Sequence, residues 1–193
     1  MKIIFISANQ TLSPYPVFPV GAATVCATLK KAGHDVLFLD WLADGHSTTP
    51  LLDRLRGHTP ALICLSLRNI DNTSSVHEER YLDSAAAMVA AFRTVSKAPI
   101  LVGGAGFSLM PEEILNYLGA DYGIAGEGEH LVLEFTGRLE RGDLPPSLIL
   151  RQNQFLPEND MGSADYTLPC LDYYVQHGGG MVGVQTKRGC LHQ

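Results

Sequence analysis

The 193-residue sequence is short of the features that announce chemistry outright. Its four cysteines, Cys26, Cys64, Cys170 and Cys190, show no CxxC or paired spacing, which argues against a disulfide framework and for a reducing, cytoplasmic setting. No apolar run approaches the ~20 residues of a membrane-spanning helix. The run at residues 3–6 is also too short for a signal peptide. Cations are scarce: 14 Lys and Arg stand against 20 Asp and Glu, a formal charge of −6, and no basic stretch is dense enough to follow a phosphate backbone. Nucleic acid and membrane are therefore not expected partners. GxGxxG and GxxxxGK[ST] are both missing, which weakens the two commonest nucleotide-binding readings.

What is present is apolar and punctuated. With 46% hydrophobic residues, 19 Gly and 11 Pro, the chain can build one ordinary core plus an appendage. Residues 3–6, 36–39, 62–65 and 100–102 are continuous apolar runs of the kind buried on both faces of a parallel sheet, and residues 122–125 form a weaker fifth. Between them lie helical patterns. Residues 20–31 carry an apolar stripe at Ala22, Val25, Cys26 and Leu29, place Lys30 and Lys31 against the helix dipole, and stop at Gly33. Thr49-Pro50 opens a second helix that stops at Gly57, and residues 79–95 form a third. Pro111 opens a fourth that closes at Gly119, and residues 127–139 form a fifth.

Five β-α units in succession predict an α/β, flavodoxin-like (Rossmann-like), doubly wound five-stranded parallel sheet of order 2-1-3-4-5 over residues 1–142. After Gly142 the character changes. Pro145-Pro146, Pro157, Gly162, Pro169 and Gly178-Gly179-Gly180 mark residues 143–180 as a linker wrapped on the domain, with one strand candidate at residues 148–150. Residues 181–186 read as a further strand that opens an incomplete second domain over 181–193.

Ligands of such sheets bind beyond the carboxyl ends of the strands, so the loops after each strand are the places to search. The first loop, residues 9–19, is long, Pro-rich and uncharged. The third strand runs into the polar stretch Ser66-Leu67-Arg68-Asn69-Ile70-Asp71-Asn72, where Arg68 and Asp71 are placed to pair across the loop mouth. The fourth runs into Gly103-Gly104-Ala105-Gly106, and the fifth into Gly126-Glu127-Gly128-Glu129, whose carboxylates suit a helix N-terminus and disfavour an anionic ligand there. Small side chains and neutral hydrogen-bonding groups fit a large, amide-rich, nearly neutral ligand better than a phosphate. His77 and His130 lie near these loops, but lone histidines are more often surface residues than metal ligands.

The ordered set Pro19-Val20-Gly21 before a helix ending Lys30-Lys31-Ala32-Gly33, the Ser66 to Asn72 stretch, Val102-Gly103-Gly104 and Gly126-Glu127-Gly128-Glu129 resembles the cobalamin-binding domain of cobalamin-dependent radical S-adenosylmethionine enzymes. Gln185-Thr186-Lys187-Arg188-Gly189-Cys190 resembles the first barrel strand and first cysteine of that family's CxxxCxxC signature. The resemblance implies cofactor-binding roles for Thr11, Tyr15, Val20, Gly21, Ser66, Leu67, Arg68, Asn69, Gly103, Gly104, Gly126, Glu127 and Gly128. It also implies that Cys190 binds an iron–sulfur cluster in an intact parent. One thiolate cannot hold a [4Fe–4S] cluster alone, so the sequence is expected to be the N-terminal piece of a longer enzyme that adds the cluster, S-adenosylmethionine and its own radical barrel.

Corrinoid proteins of the methionine-synthase type carry DxHxxG in the first loop, whereas residues 9–19 contain no His. The resemblance therefore implies base-off, His-off cobalamin for methyl transfer or related radical chemistry in the parent, with the isolated chain inactive. Arg68, at the Leu position of a Ser-x-Leu element, leaves two roles open: excluding a strong axial ligand, or contacting the corrin amides. Two other readings stand beside this one. The first is a domain that has lost the cofactor and serves substrate recruitment or oligomer contact. The second is a flavin-binding protein whose Thr11, Ser13, Ser74 and Ser75 hydroxyls cradle a phosphate.

Overall fold

The computed structural model describes residues 1–144, 149–152 and 162–185. Six strands, β1 (Lys2–Ser7), β2 (Asp35–Asp40), β3 (Leu62–Ser66), β4 (Ile100–Gly103), β5 (Tyr122–Ala125) and β6 (Ile149–Arg151), form one sheet of order β2-β1-β3-β4-β5-β6. Every pairing is parallel. The helices are α1 (Val20–Lys31), α2 (Thr48–His58), α3 (Tyr81–Val95), α4 (Pro111–Leu118), α5 (Gly128–Glu140) and α6 (Leu171–His177). The chain leaves β1 through α1 for the β2 edge, then crosses back through α2 to β3. The topological switch thus lies between β1 and β3.

Strand side chains alternate between two cores, and this is why the apolar runs are continuous. Ile4, Ile6, Ile63, Leu65, Ile100 and Val102 meet Leu51 and Leu55 of α2, Met88 and Phe92 of α3, and Ile114 and Leu118 of α4. Ile3, Phe5, Leu62, Cys64, Leu101 and Ile124 face the other way, toward Ala22, Cys26 and Leu29 of α1 and Val132 and Phe135 of α5. The bounds of α1 match the periodicity reading residue for residue, and α4 runs from Pro111 to a left-handed Gly119 at φ +64°.

The expected five strands are six among the described residues. The candidate at 148–150 is not an isolated piece of linker, because Ile149, Leu150 and Arg151 pair with Gly123, Ile124 and Ala125. Without β6 the short β5 would leave an open edge of unpaired peptide groups; β6 covers it, and Arg151 pairs with Glu112 of α4. The segment expected as linker also contains α6. Residues 181–185 show no strand, contrary to the reading of 181–186; they have no strand partner among the described residues. Thr186 and the rest to residue 193, Cys190 included, lie outside the described residues.

α6 is held by a buried polar cluster. Leu168, Cys170 and Tyr174 enter the core on the α1 side, where the Tyr174 ring meets Phe18 edge-on. The Tyr174 hydroxyl, fully enclosed, donates to the Asp40 carboxylate at the end of β2 (3.0 and 3.1 Å to its two oxygens), and Asn9 Nδ2 lies 3.4 Å from the same hydroxyl. A second tie joins the segment to α1, where Lys30 Nζ lies 2.8 Å from Asp165. Burial pushes the Asp40 carboxyl above its ordinary value near 3.8, against the opposing hydrogen bonds from the Ala43 amide and Tyr174.

Two outcomes follow from this cluster. Tyr174→Phe takes from the buried carboxylate one of its donors, the Ala43 amide remaining, and lowers unfolding free energy by about 1–3 kcal/mol in urea titrations at pH 7. Because the folded chain holds the Asp40 proton more tightly than the unfolded chain, this group's contribution to stability falls as pH rises from about 3.8 through the higher folded value. Asp40→Asn removes that component, so its stability relative to wild type rises between pH 4 and pH 7 in the same titrations.

Candidate functional site

The register sets the cross-strand neighbours on the α1–α5 face. One row across the sheet is Phe5, Cys64 and Leu101, and the next row toward the carboxyl edge is Ser7, Ser66 and Gly103. On β1 and β4 a bulky residue is followed on this face by a small one, Phe by Ser and Leu by Gly, and on β3 a small apolar Cys is followed by a small polar Ser. The loss of bulk leaves a cavity of about 760 Å³ between the sheet and the N-terminal turns of α1 and α5. Its outer wall is Val20, Gly21, Ala22 and Val25 of α1 with Gly128, Glu129 and Val132 of α5. The site therefore opens at the switch point, where doubly wound sheets bind ligands.

The rim is tied together by backbone. Gly104 adopts φ +101°, and a Cβ there would lie 2.4 Å from the Leu67 carbonyl oxygen, so only glycine lets the β4 loop lie against the β3 loop. The Leu67 amide donates to the Gly103 carbonyl at 2.8 Å, and the Gly106 amide donates to the Leu67 carbonyl at 2.9 Å. Ser108 joins the next pair of loops: its hydroxyl donates to the Gly104 carbonyl (2.9 Å) and accepts from the Gly126 amide (2.9 Å). At Gly103, by contrast, a Cβ would meet the Ile124 carbonyl oxygen at an ordinary 3.4 Å. The missing side chain there widens the cavity that Gly103 lines.

The electrostatics are graded. Burial pushes the Cys64 thiol far above its ordinary value, so the floor is uncharged. On the β3 side of the mouth, Arg68 lines the cavity with its Nη1 enclosed and without a hydrogen-bond partner among the described residues. A buried donor of this kind is ordinarily hydrogen-bonded, which makes Arg68 a candidate ligand contact. On the opposite side, Glu127 and Glu129 sit at the N-terminus of α5, where the helix dipole favours carboxylates, and Gln152 Nε2 lies 3.4 Å from Glu127 Oε2.

Of the residues singled out in the sequence, Val20, Gly21, Ser66, Arg68, Gly103, Gly104, Gly126, Glu127 and Gly128 line this cavity. Thr11, Tyr15, Leu67 and Asn69 do not. Leu67 is turned into the opposite core. Asn69 Nδ2 donates to Thr11 Oγ1 at 2.9 Å and so pins the first loop to the third, while Tyr15 lies exposed on the first loop. The expected Arg68–Asp71 pair does not form among the described residues; Asp71 Oδ1 accepts from the Thr73 amide instead, at 2.8 Å. Thr11, Ser13, Ser74 and Ser75 are absent from the cavity wall, as are His77 and His130, both exposed. No group of three or more His, Cys, Asp or Glu among the described residues is arranged to hold a metal ion. No helix among them is long and apolar enough to cross a membrane. Sequence reasoning missed the floor residues Phe5, Cys64 and Leu101, which look like ordinary strand core, and Ser108, which lies beyond the glycine run.

The family model of the B12 binding domain matches residues 8–136, a span that contains the loops following β1 to β5. A tryptophan 2-C-methyltransferase from Streptomyces laurentii is 29% identical over 143 residues, covering 72% of this chain and 23% of that protein. Among solved structures, the radical S-adenosylmethionine methyltransferase TsrM from Kitasatospora setae, with cobalamin and a [4Fe–4S] cluster bound, superimposes at TM-score 0.67 with 22% identity. That match covers 81% of this chain and 31% of TsrM. The cobalamin-dependent S-adenosylmethionine radical enzyme OxsB, with aqua-cobalamin and S-adenosylmethionine bound, gives TM-score 0.56 at 17% identity over 75% of this chain and 19% of its own. The chain thus spans a third or less of the length of these relatives.

The Ser108 bridge makes a local forecast. Ser108→Ala removes both bonds that join the β4 and β5 loops, and amide exchange at Gly126, measured by NMR or mass spectrometry, speeds up by roughly tenfold while the amides of β1 and β3 keep their protection.

Proposed function

The chain belongs to the B12 binding domain family, and from that premise we propose that it binds cobalamin, with the nucleotide tail in the cleft between the sheet and α1 and α5 and the corrin ring over the strand ends. The observation that carries this reading is the step from Phe5, Cys64 and Leu101 to Ser7, Ser66 and Gly103, which keeps a deep, mostly uncharged cleft clear of side chains. The enclosed, unpartnered Nη1 of Arg68 fits a ligand rich in amide oxygens.

Each rim residue then has a defined task. Gly103 and Gly104 let the tail pass close to backbone, and the Ser66 hydroxyl offers a donor and an acceptor at the mouth. Val20, Gly21, Gly126 and Gly128 give a thin wall, and Glu127 supplies acceptors on the α5 side. Asn69 and Thr11 hold the first loop in place without lining the cleft. When bound, cobalamin supplies a cobalt centre that can carry a methyl group; the protein supplies binding and orientation.

We propose that the cofactor is held base-off and His-off. No histidine among the described residues lines the cleft, and the first loop contains none. The Arg68 guanidinium presents N–H donors and no lone pair to a metal, so it acts as a hydrogen-bond donor rather than a ligand. By similarity to the tryptophan methyltransferase and TsrM, the parent activity we propose is that of a radical S-adenosylmethionine methyltransferase. Its barrel would hold the [4Fe–4S] cluster, with Cys190 as one ligand, and S-adenosylmethionine. Residues 1–142 together with β6 form the binding domain, while residues 162–182 pack on it and, in this proposal, lead toward that barrel.

Hydroxocobalamin mixed with the purified chain is expected to survive desalting and to show a base-off absorption spectrum. Passage of the protein without the corrinoid contradicts the proposal, and a co-purifying flavin spectrum supports the flavin reading in its place. Gly103→Val puts a branched side chain into the cleft at a position where its Cβ is tolerated; it lowers cobalamin affinity at least roughly tenfold, with little change in the urea midpoint.

A further inference from the structure

The polarity of the cleft changes with depth, and the change bears on which corrinoids can enter. At the mouth are the hydroxyls of Ser7 and Ser66 and the side chains of Arg68 and Glu127. One row deeper the sheet presents Phe5, Cys64 and Leu101, and the helices facing it present Val25 and Val132, with the buried Glu129 side chain on the α5 wall one turn before Val132. The peptide groups beneath that row are engaged in the parallel ladders joining β1, β3 and β4, so the floor offers side chains and no free backbone donor or acceptor. Its single heteroatom is the Cys64 sulfur, a weak hydrogen-bonding partner that burial keeps as a neutral thiol.

We propose that this floor makes the domain select corrinoids by their lower base, favouring dimethylbenzimidazole over a purine. The proposal rests on the cobalamin reading given above and goes beyond it by naming the part of the cofactor that Phe5, Cys64, Leu101, Val25 and Val132 discriminate. Dimethylbenzimidazole brings two methyl groups and a single free ring nitrogen, which an apolar floor accepts. Adenine in the same position brings an exocyclic amine and three free ring nitrogens. At the floor these would lose water and find only one weak sulfur partner; a carboxylate on the α5 wall can accept from the amine but offers the ring nitrogens no donor, and a buried polar group left unpaired is penalised far more than a methyl group is rewarded. Shape alone does not make this distinction, because the two fused ring systems are similar in size; polarity does.

Binding is measured by titrating the purified chain with hydroxocobalamin, with its adenine-based analogue, and with cobinamide, which has no lower base. The expected result is that the adenine corrinoid binds roughly 10- to 100-fold more weakly than hydroxocobalamin. Cys64→Ser and Val132→Thr, near-isosteric changes that each place a hydroxyl on the floor or its facing wall, narrow that ratio several-fold. The two variants act from opposite walls, so misfolding of one still leaves the other as a test. Equal affinity for both base-bearing corrinoids, tighter binding of the adenine form, or a ratio unchanged in both folded variants overturns the selectivity while leaving cobalamin binding intact. Cobinamide binding as tightly as hydroxocobalamin also overturns it, because the base then contributes nothing. If none of the three corrinoids is retained, the cobalamin reading itself fails.

Discussion

The carboxyl edge of this sheet is governed by where bulk is removed. Phe5, Cys64 and Leu101 fill the α1–α5 face up to the level at which the helices begin, and beyond them Ser7, Ser66 and Gly103 leave that face thin. A parallel sheet is ordinarily packed to its ends because both faces carry helices. Here close packing stops one residue pair short on three adjacent strands, and a cavity of about 760 Å³ stands where the helices would otherwise meet the sheet. The backbone contacts of the rim follow from this. With no side chains to separate them, the loops after β3, β4 and β5 are fixed to one another by the Gly104–Leu67 approach and the Ser108 bridge.

The segment after β5 belongs to the same construction. β6 closes the sheet edge, and Tyr174 reaches the Asp40 carboxylate at the far side of the switch point, so residues 162–182 brace the α1 side of the domain. A chain leaving the domain through this brace carries its orientation with it. That suits a part whose proposed task is to present one face of a cofactor to a neighbouring domain.

Much of the framework was legible because local and global signals agree. α1 shows its stripe, its basic last turn and its glycine stop, and α4 opens on Pro111 and ends at Gly119; both have the expected bounds. β6 and α6 were less legible for physical reasons. A three-residue strand has no period to display, and α6 is held by a long-range bond from Tyr174 to Asp40 rather than by an apolar stripe of its own. The site divides in the same way. Gly103, Gly104, Ser66 and Arg68 stand out because they interrupt apolar strands at their ends. Phe5, Cys64 and Leu101 are indistinguishable in sequence from core, and only the register shows that they floor a cleft. Leu67, inside the polar stretch, follows strand alternation into the other core. Thr11 and Asn69 bond to each other rather than reach the cleft.

The central claim is that the space beyond Phe5, Cys64 and Leu101 is the seat of the cobalamin tail. A crystal structure of the chain with hydroxocobalamin tests it most directly. The account requires density for the ribose and lower base between Gly103 of β4 and the first turn of α5, with no histidine on cobalt. Cobalamin bound elsewhere on the surface, with that cleft left to solvent, would contradict it.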